Sequence, residues 1–172
     1  MLAATLADTL HIYKMTNFSF DIKTSKDFFN KLLADYDEFC SDTTSSRVAL
    51  NCAMTAWHLT EWTYNEFNQS LCDHFETLTL YQQELKRQCS SLQIMHDLAN
   101  GTKHYLLTRH RPIVKETNLY EGTFDKTFDR TFDVSNLEIE LNNGTKIYFE
   151  DEIKNVINFW KQHLQVTFQI TT

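Results

Sequence analysis

Val48-Ala49-Leu50-Asn51-Cys52-Ala53-Met54-Thr55-Ala56-Trp57-His58-Leu59-Thr60-Glu61-Trp62 is the stretch that decides the fold. Val48, Ala49, Cys52, Ala53, Ala56, Trp57, Leu59 and Trp62 recur at the three- and four-residue steps of an α-helix. The apolar face they make is too wide for a helix lying on a surface. The spacing predicts a central helix over about 46–68. A narrower polar stripe, Asn51, Thr55, His58 and Glu61 or Asn65, follows the same period, and its members need partners wherever they are buried.

Helical patterns continue on both sides. Thr24 or Ser25 can cap a helix whose Phe28, Phe29, Leu32, Leu33, Tyr36 and Phe39 form one buried face. The polar run from Ser41 to Ser46 ends it. Leu71, Phe75 and Leu78 open a third helix that runs through Leu85 to about Gln88. Ser90-Ser91-Leu92-Gln93 matches a capping box and starts a fourth, with Leu92, Met95, Leu98 and Ala99 inward. Two ends fit this helix: a left-handed cap at Asn100-Gly101, or continuation to about Leu107.

Beyond Pro112 the period changes to two. Thr123 to Val134 alternates Thr and Asp with Phe124, Lys126, Phe128, Arg130 and Phe132, which predicts a strand with aromatic and basic residues on one face. Leu137 to Leu141 and Lys146 to Phe149 flank Asn142-Asn143-Gly144. A three-residue turn with Gly144 left-handed pairs Ile139 with Ile147, Leu137 with Phe149, and Glu140 with Lys146. Glu150-Asp151-Glu152 then places negative charge at the start of a last helix, whose Ile153, Val156, Ile157, Trp160 and Leu164 form its buried stripe. The expected fold is mainly α, of the α+β kind: a four- to five-helix bundle with a small antiparallel β-sheet inserted before the C-terminal helix. One domain spans 1–172, with a weakly patterned segment 1–20, a bundle 21–110, a β-meander or hairpin 115–150 and a closing helix 151–168. Met15 is an alternative start that would make the first fourteen residues dispensable.

Composition supports this architecture. The chain of 172 residues is 42% hydrophobic and 13% aromatic with thirteen Phe, enough for a packed core and contrary to disorder. Three Gly and one Pro are few for a turn-rich β fold. Cys40, Cys52, Cys72 and Cys89 contain no CxxC pair, so buried free thiols in a reducing cytoplasm are expected rather than a zinc site. No signal peptide or membrane span is apparent. The net charge of −7 disfavours general nucleic-acid binding. The charge is uneven, however: Val48 to Leu85 holds five acids and no Lys or Arg, whereas Lys86 to Arg111 holds five bases and one acid, Asp97.

That basic island contains His96-Asp97-Leu98-Ala99-Asn100-Gly101-Thr102-Lys103-His104. On a continuous helix, Asp97, Asn100 and His104 share one face, and His58 on the central helix could meet them. An imidazole oriented by a carboxylate and helped by an amide can transfer a proton near neutral pH. The catalytic candidates are therefore His104, Asn100, Asp97 and His58. Lys103, His96, Arg109 and Arg111 are candidates for holding an anionic ligand, RNA or nucleotide. The structural alternative is that Asp97 and Asn100 cap or cross-link helices while His104 is a partly buried aromatic. Metal binding by His58, His96, Asp97 or His104 is disfavoured because no His-x-x-x-His or Glu-x-x-His pair occurs. No cofactor is expected.

The helix end Asn100-Gly101-Thr102-Lys103-His104 in a small bundle resembles the Arg-x4-6-His helix of the HEPN superfamily. The resemblance covers about 60 residues. It implies a dimeric, metal-independent ribonuclease of toxin or phage-defence systems, with His104 as the acid/base group and Asn100 as its polar helper. No arginine stands four to six residues before His104. From Glu121 onward the chain also resembles the tail of uncharacterised bacterial and phage proteins. The competing expectation is a non-enzymatic interaction module, antitoxin-like or accessory to a mobile element, with the Phe124 to Phe132 strand as a partner edge.

Overall fold

The computed structural model describes residues 19–71, 73–104, 111–124, 128 and 131–171. The expectations for residues 1–18, including Met15 as a start, lie outside the described residues, as do those for Cys72, Arg109, Lys126 and Arg130.

The first helix, α1 (Ser25–Ser41), starts from Thr24, not Ser25. Thr24 Oγ1 accepts from the Asp27 N–H at 3.1 Å, and Asp27 accepts in return from the Thr24 and Lys23 amides at 3.0 Å. Those amide donors hold the Asp27 carboxyl below its ordinary value. The central helix, α2 (Ser46–Glu66), buries Val48, Ala49, Cys52, Ala53, Ala56, Trp57 and Leu59, as the spacing predicts. Its polar stripe divides. Thr55 is buried and bonds Lys31 and Asp35 of α1, both at 2.7 Å, while His58, Glu61 and Asn65 face solvent.

The single third helix expected from Leu71 to Gln88 is two segments. A turn of helix, α3 (Asn68–Leu71), is followed by α4 (Leu78–Gln88). The break is local chemistry: Thr77 is extended, and its hydroxyl accepts from the Leu80 N–H to start α4 afresh. Leu71 and Phe75 still turn inward because the Phe75 amide closes a tight turn on the Leu71 carbonyl at 2.7 Å. The next helix, α5 (Ser91–Lys103), lacks the capping box foreseen for it. Ser90 already has helical φ and ψ and makes no side-chain cap, and Gln93 instead donates to Asp97 at 2.7 Å. Gly101 lies inside α5, which ends at His104 rather than at a left-handed Asn-Gly cap.

Three antiparallel strands follow in the order β1 (Val114–Tyr120), β2 (Asn136–Leu141), β3 (Lys146–Tyr148). The hairpin has the expected register, Ile139 opposite Ile147 and Glu140 opposite Lys146, around Gly144 at φ +82°. The ladder stops at Glu138 and Tyr148, because Phe149 begins the last helix and is buried there instead of pairing with Leu137. The first strand is β1, and the described residues of the expected strand 123–134 form no ladder. Of that segment, the described part contributes one bridge between Phe124 and Val134. Asp133 bonds Thr123 and Tyr120 through its carboxylate, a local alternative to a ladder, and Phe124, Phe128 and Phe132 pack on one another with centroids 4.8–5.6 Å apart.

The closing helix, α6 (Phe149–Phe168), opens with Glu150, Asp151 and Glu152 and buries Ile153, Val156, Trp160 and Leu164. Trp160 is fully enclosed and donates to the Ala56 carbonyl of α2 at 3.1 Å. One turn later, His163 Nε2 lies 2.9 Å from Tyr81 Oη. Tyr81 gives its own proton to Thr63 Oγ1, whose proton goes to backbone carbonyls, so His163 donates from Nε2 and Nδ1 accepts from Thr167. Burial lowers the His163 pKa to about 4. Of the cysteines described, Cys52 and Cys89 are buried free thiols, with Cys52 pushed up to about 12 by desolvation, whereas Cys40 is exposed. Among the described residues no helix is long and apolar enough to cross a membrane.

Candidate functional site

The residues singled out around α5 sort into three separate environments. Asp97 is 4% exposed and accepts from the Ile113 and Val114 amides at 2.6 and 3.1 Å as well as from Gln93. Two backbone N–H groups and a carboxamide thus converge on one carboxylate, and the first turn of β1 is pinned to the bundle. Asp97 therefore anchors β1 to α5, a helix-to-strand link in place of the expected helix cap or helix-to-helix cross-link.

His96 lies instead on Trp57, ring centroids 3.9 Å apart and nearly parallel. Lys86 approaches the same indole with its ammonium 5.6 Å from the ring centroid. Desolvation lowers the Lys86 pKa, with Asp97 acting against it. This packing of cation, indole and imidazole closes the outer side of the α2–α5 contact.

The third group is exposed. His104 caps α5, its amide donating to the Asn100 carbonyl at 2.9 Å, and Lys103, Arg111 and His58 are likewise in solvent. Asn100 is half-buried. Desolvation holds the His58 imidazole below its ordinary value, with Glu61 opposing and Lys103 assisting. His58 and Lys103 therefore share a surface, while Asp97 and His96 are committed elsewhere. No group of three His, Cys, Asp or Glu among the described residues is arranged to hold a metal ion.

A larger feature lies on the outward face of the sheet. A cleft of about 660 Å³ is walled by Tyr120, Phe128, Phe132, Asn136, Glu138 and Tyr148. Phe128, Phe132 and Tyr148 are 45%, 50% and 43% exposed, a density of open aromatic surface that the rest of the described chain does not repeat. β1 presents Tyr120, β2 presents Asn136 and Glu138, and β3 presents Tyr148, all on the one pleat face. Tyr120 donates to Asp133 at the rim, which raises the phenol and lowers the carboxyl. In the wall, Asn136 gives Nδ2–H to the Val134 carbonyl at 3.0 Å, and its Oδ1 is sealed with no donor.

Comparison with family models, curated proteins and solved structures gives no match. The cleft therefore carries the functional argument by its own geometry. The Phe124-Phe128-Phe132 spacing pointed to part of it. Tyr120 and Tyr148 join it through strand pairing.

Proposed function

We propose that the protein is a non-enzymatic interaction module that takes a partner protein on the aromatic cleft of its sheet. The observation that carries this reading is the exposed ring cluster of Tyr120, Phe128, Phe132 and Tyr148 around a 660 Å³ hollow. Aromatic residues with a polar tip supply much contact area for little lost side-chain freedom, which is why they anchor interfaces. The clustered carboxylate that suggested catalysis is spent on holding β1. An antitoxin-like or accessory role fits such a module. The test is purification of the tagged protein from its own cells, with Phe128→Asp and Phe132→Asp alongside. The expected result is a stoichiometric polypeptide that accompanies the wild type and is lost from both variants. A lone wild-type monomer whose variants behave identically would count against the module.

A second reading has support in the exposed group of His104, Lys103 and His58. Metal-independent RNA cleavage of the HEPN kind would use His104 as acid and base with Asn100 beside it and Lys103 and Arg111 on phosphate. It predicts RNA cleavage that survives EDTA and disappears in His104→Ala. Intact RNA after prolonged incubation with wild-type protein removes it.

A further inference from the structure

At the other boundary of the sheet, β1 is an edge strand of seven residues, and no strand pairs with its far side among the described residues. Every residue after Val114 is exposed, and the one irregularity in its pairing falls between Val114 and Glu116, leaving Glu116 to Tyr120 regular. A regular edge with solvated amides and carbonyls is a template for one more strand unless something blunts it. The usual guard, a free lysine, is missing: the Lys115 ammonium is tied to Glu140.

Beneath β1 lies a second hollow of about 100 Å³, walled by Ala49, Leu50, Leu98, Leu119, Leu137 and Phe149. It admits one branched aliphatic side chain and is too small for an indole. Leu119, 48% exposed, stands at its mouth.

The pleat fixes what an added strand must look like. Thr117 and Leu119 pair with Ile139 and Leu137 on the inner face, while Glu116 and Asn118 pair with Glu140 and Glu138 on the outer face. A residue laid opposite Thr117 therefore points into the hollow, and its two neighbours point out beside Glu116 and Asn118. Charge then selects those neighbours. On the outer face of the sheet three carboxylates, Glu116, Glu138 and Glu140, stand against two ammonium groups, Lys115 and Lys146, which are tied to Glu140 and Glu138, so one negative charge is left over beside the added strand. The whole chain carries −7, which opposes a second copy of itself in this place.

We propose that the free edge of β1 receives an extended basic segment of a partner protein as a fourth strand, in the pattern basic–aliphatic–basic, with the aliphatic side chain seated in the hollow beneath. This deepens the interaction-module reading and rests on it: backbone pairing supplies affinity and the hollow supplies selectivity.

The test uses labelled, end-blocked heptapeptides of sequence Thr-Thr-Lys-Leu-Lys-Thr-Thr, with Lys-Ala-Lys and Glu-Leu-Glu counterparts, titrated onto the full chain by fluorescence anisotropy. The Lys-Leu-Lys peptide is expected to bind about tenfold tighter than Lys-Ala-Lys, the worth of one buried aliphatic side chain. It should also bind more tightly than Glu-Leu-Glu, by a margin that shrinks at 0.5 M salt. Thr117→Phe, a change at an exposed position that fills the hollow, should erase the preference for Leu. Bound peptide should slow hydrogen exchange of the β1 amides. Equal binding of the Leu and Ala peptides, or a preference that survives Thr117→Phe, overturns strand addition. If the peptides fail in this way while a cellular partner is still lost from Phe132→Asp, strand addition falls and the aromatic interaction surface stands. A Leu preference in a protein that carries no cellular partner shows an edge able to take a strand but overturns the proposal that a partner protein supplies it, together with the aromatic surface.

Discussion

Replacing His163 with Gln should make stability less sensitive to acid. His163 is held neutral by burial, with Tyr81 on one nitrogen, Thr167 on the other, and Phe159 stacked 5.3 Å away. Its pKa of about 4 in the fold stands against 6.5 when unperturbed, so the unfolded chain binds the proton more readily. Stability from this group is therefore complete above pH 6.5 and is lost progressively as pH falls toward 4. Protonation also gives Nδ1 a hydrogen that faces the Thr167 hydroxyl. The size of the loss follows from the shift: roughly 2.5 kcal/mol at pH 4.5, levelling near roughly 3.4 kcal/mol well below pH 4. At this chain length that corresponds to a fall of roughly 5–10 °C in melting temperature. Other carboxyls titrate in the same range but are common to both proteins, so the informative quantity is the difference between wild type and His163→Gln. Urea unfolding at pH 7.5 and 4.5 should show that difference shrinking by about 2.5 kcal/mol. A difference constant to within about 0.5 kcal/mol would refute the linkage argument.

Two further perturbations probe the sheet. Asp97→Asn removes the charge from an acceptor of two backbone amides and should cost about 2 kcal/mol, with faster hydrogen exchange at Ile113 and Val114 as the local signature; exchange unchanged at those two amides would contradict the anchor. Gly122→Ala would bring a new Cβ to 2.3 Å from the Asp133 carbonyl, a contact with backbone that cannot rotate away. That variant should disturb the Tyr120–Asp133 rim and abolish binding at the aromatic cleft while leaving the helical circular dichroism intact, and wild-type binding would show that the loop does not shape the cleft.

The helices were legible because a packed bundle writes its period into the sequence: the α2 face from Val48 to Leu59 and Ile153, Val156, Trp160 and Leu164 of the α6 stripe are buried where spacing put them, with Ile157 half-buried at the stripe's edge. Gly144 made the hairpin legible, since one left-handed residue fixes the register on both sides. The break at Thr77 escaped because Leu71, Phe75 and Leu78 keep helical spacing through a turn. The alternation from Thr123 to Val134 misled at its described residues because the Asp133 carboxylate takes Thr123 and Tyr120 as local donors while the three Phe rings pack on one another. The nine residues from His96 to His104 were legible as unusual, yet sequence spacing could not tell which groups meet solvent. That depended on where β1 docks, and β1 itself has little periodicity to announce it. For the same reason Tyr120 and Tyr148, brought onto one face by strand pairing, left no signal that could be found along the chain.

The indole of Trp160 reaches across 104 positions of sequence to the Ala56 carbonyl and is fully buried there, beside Phe159 and His163 of its own helix. During synthesis, α1, α2, α4 and α5 leave the ribosome before the side chain that occupies this place. Cells must shelter that unfinished bundle until α6 arrives, so any stall in translation after α5 should yield a product that clings to chaperones or precipitates.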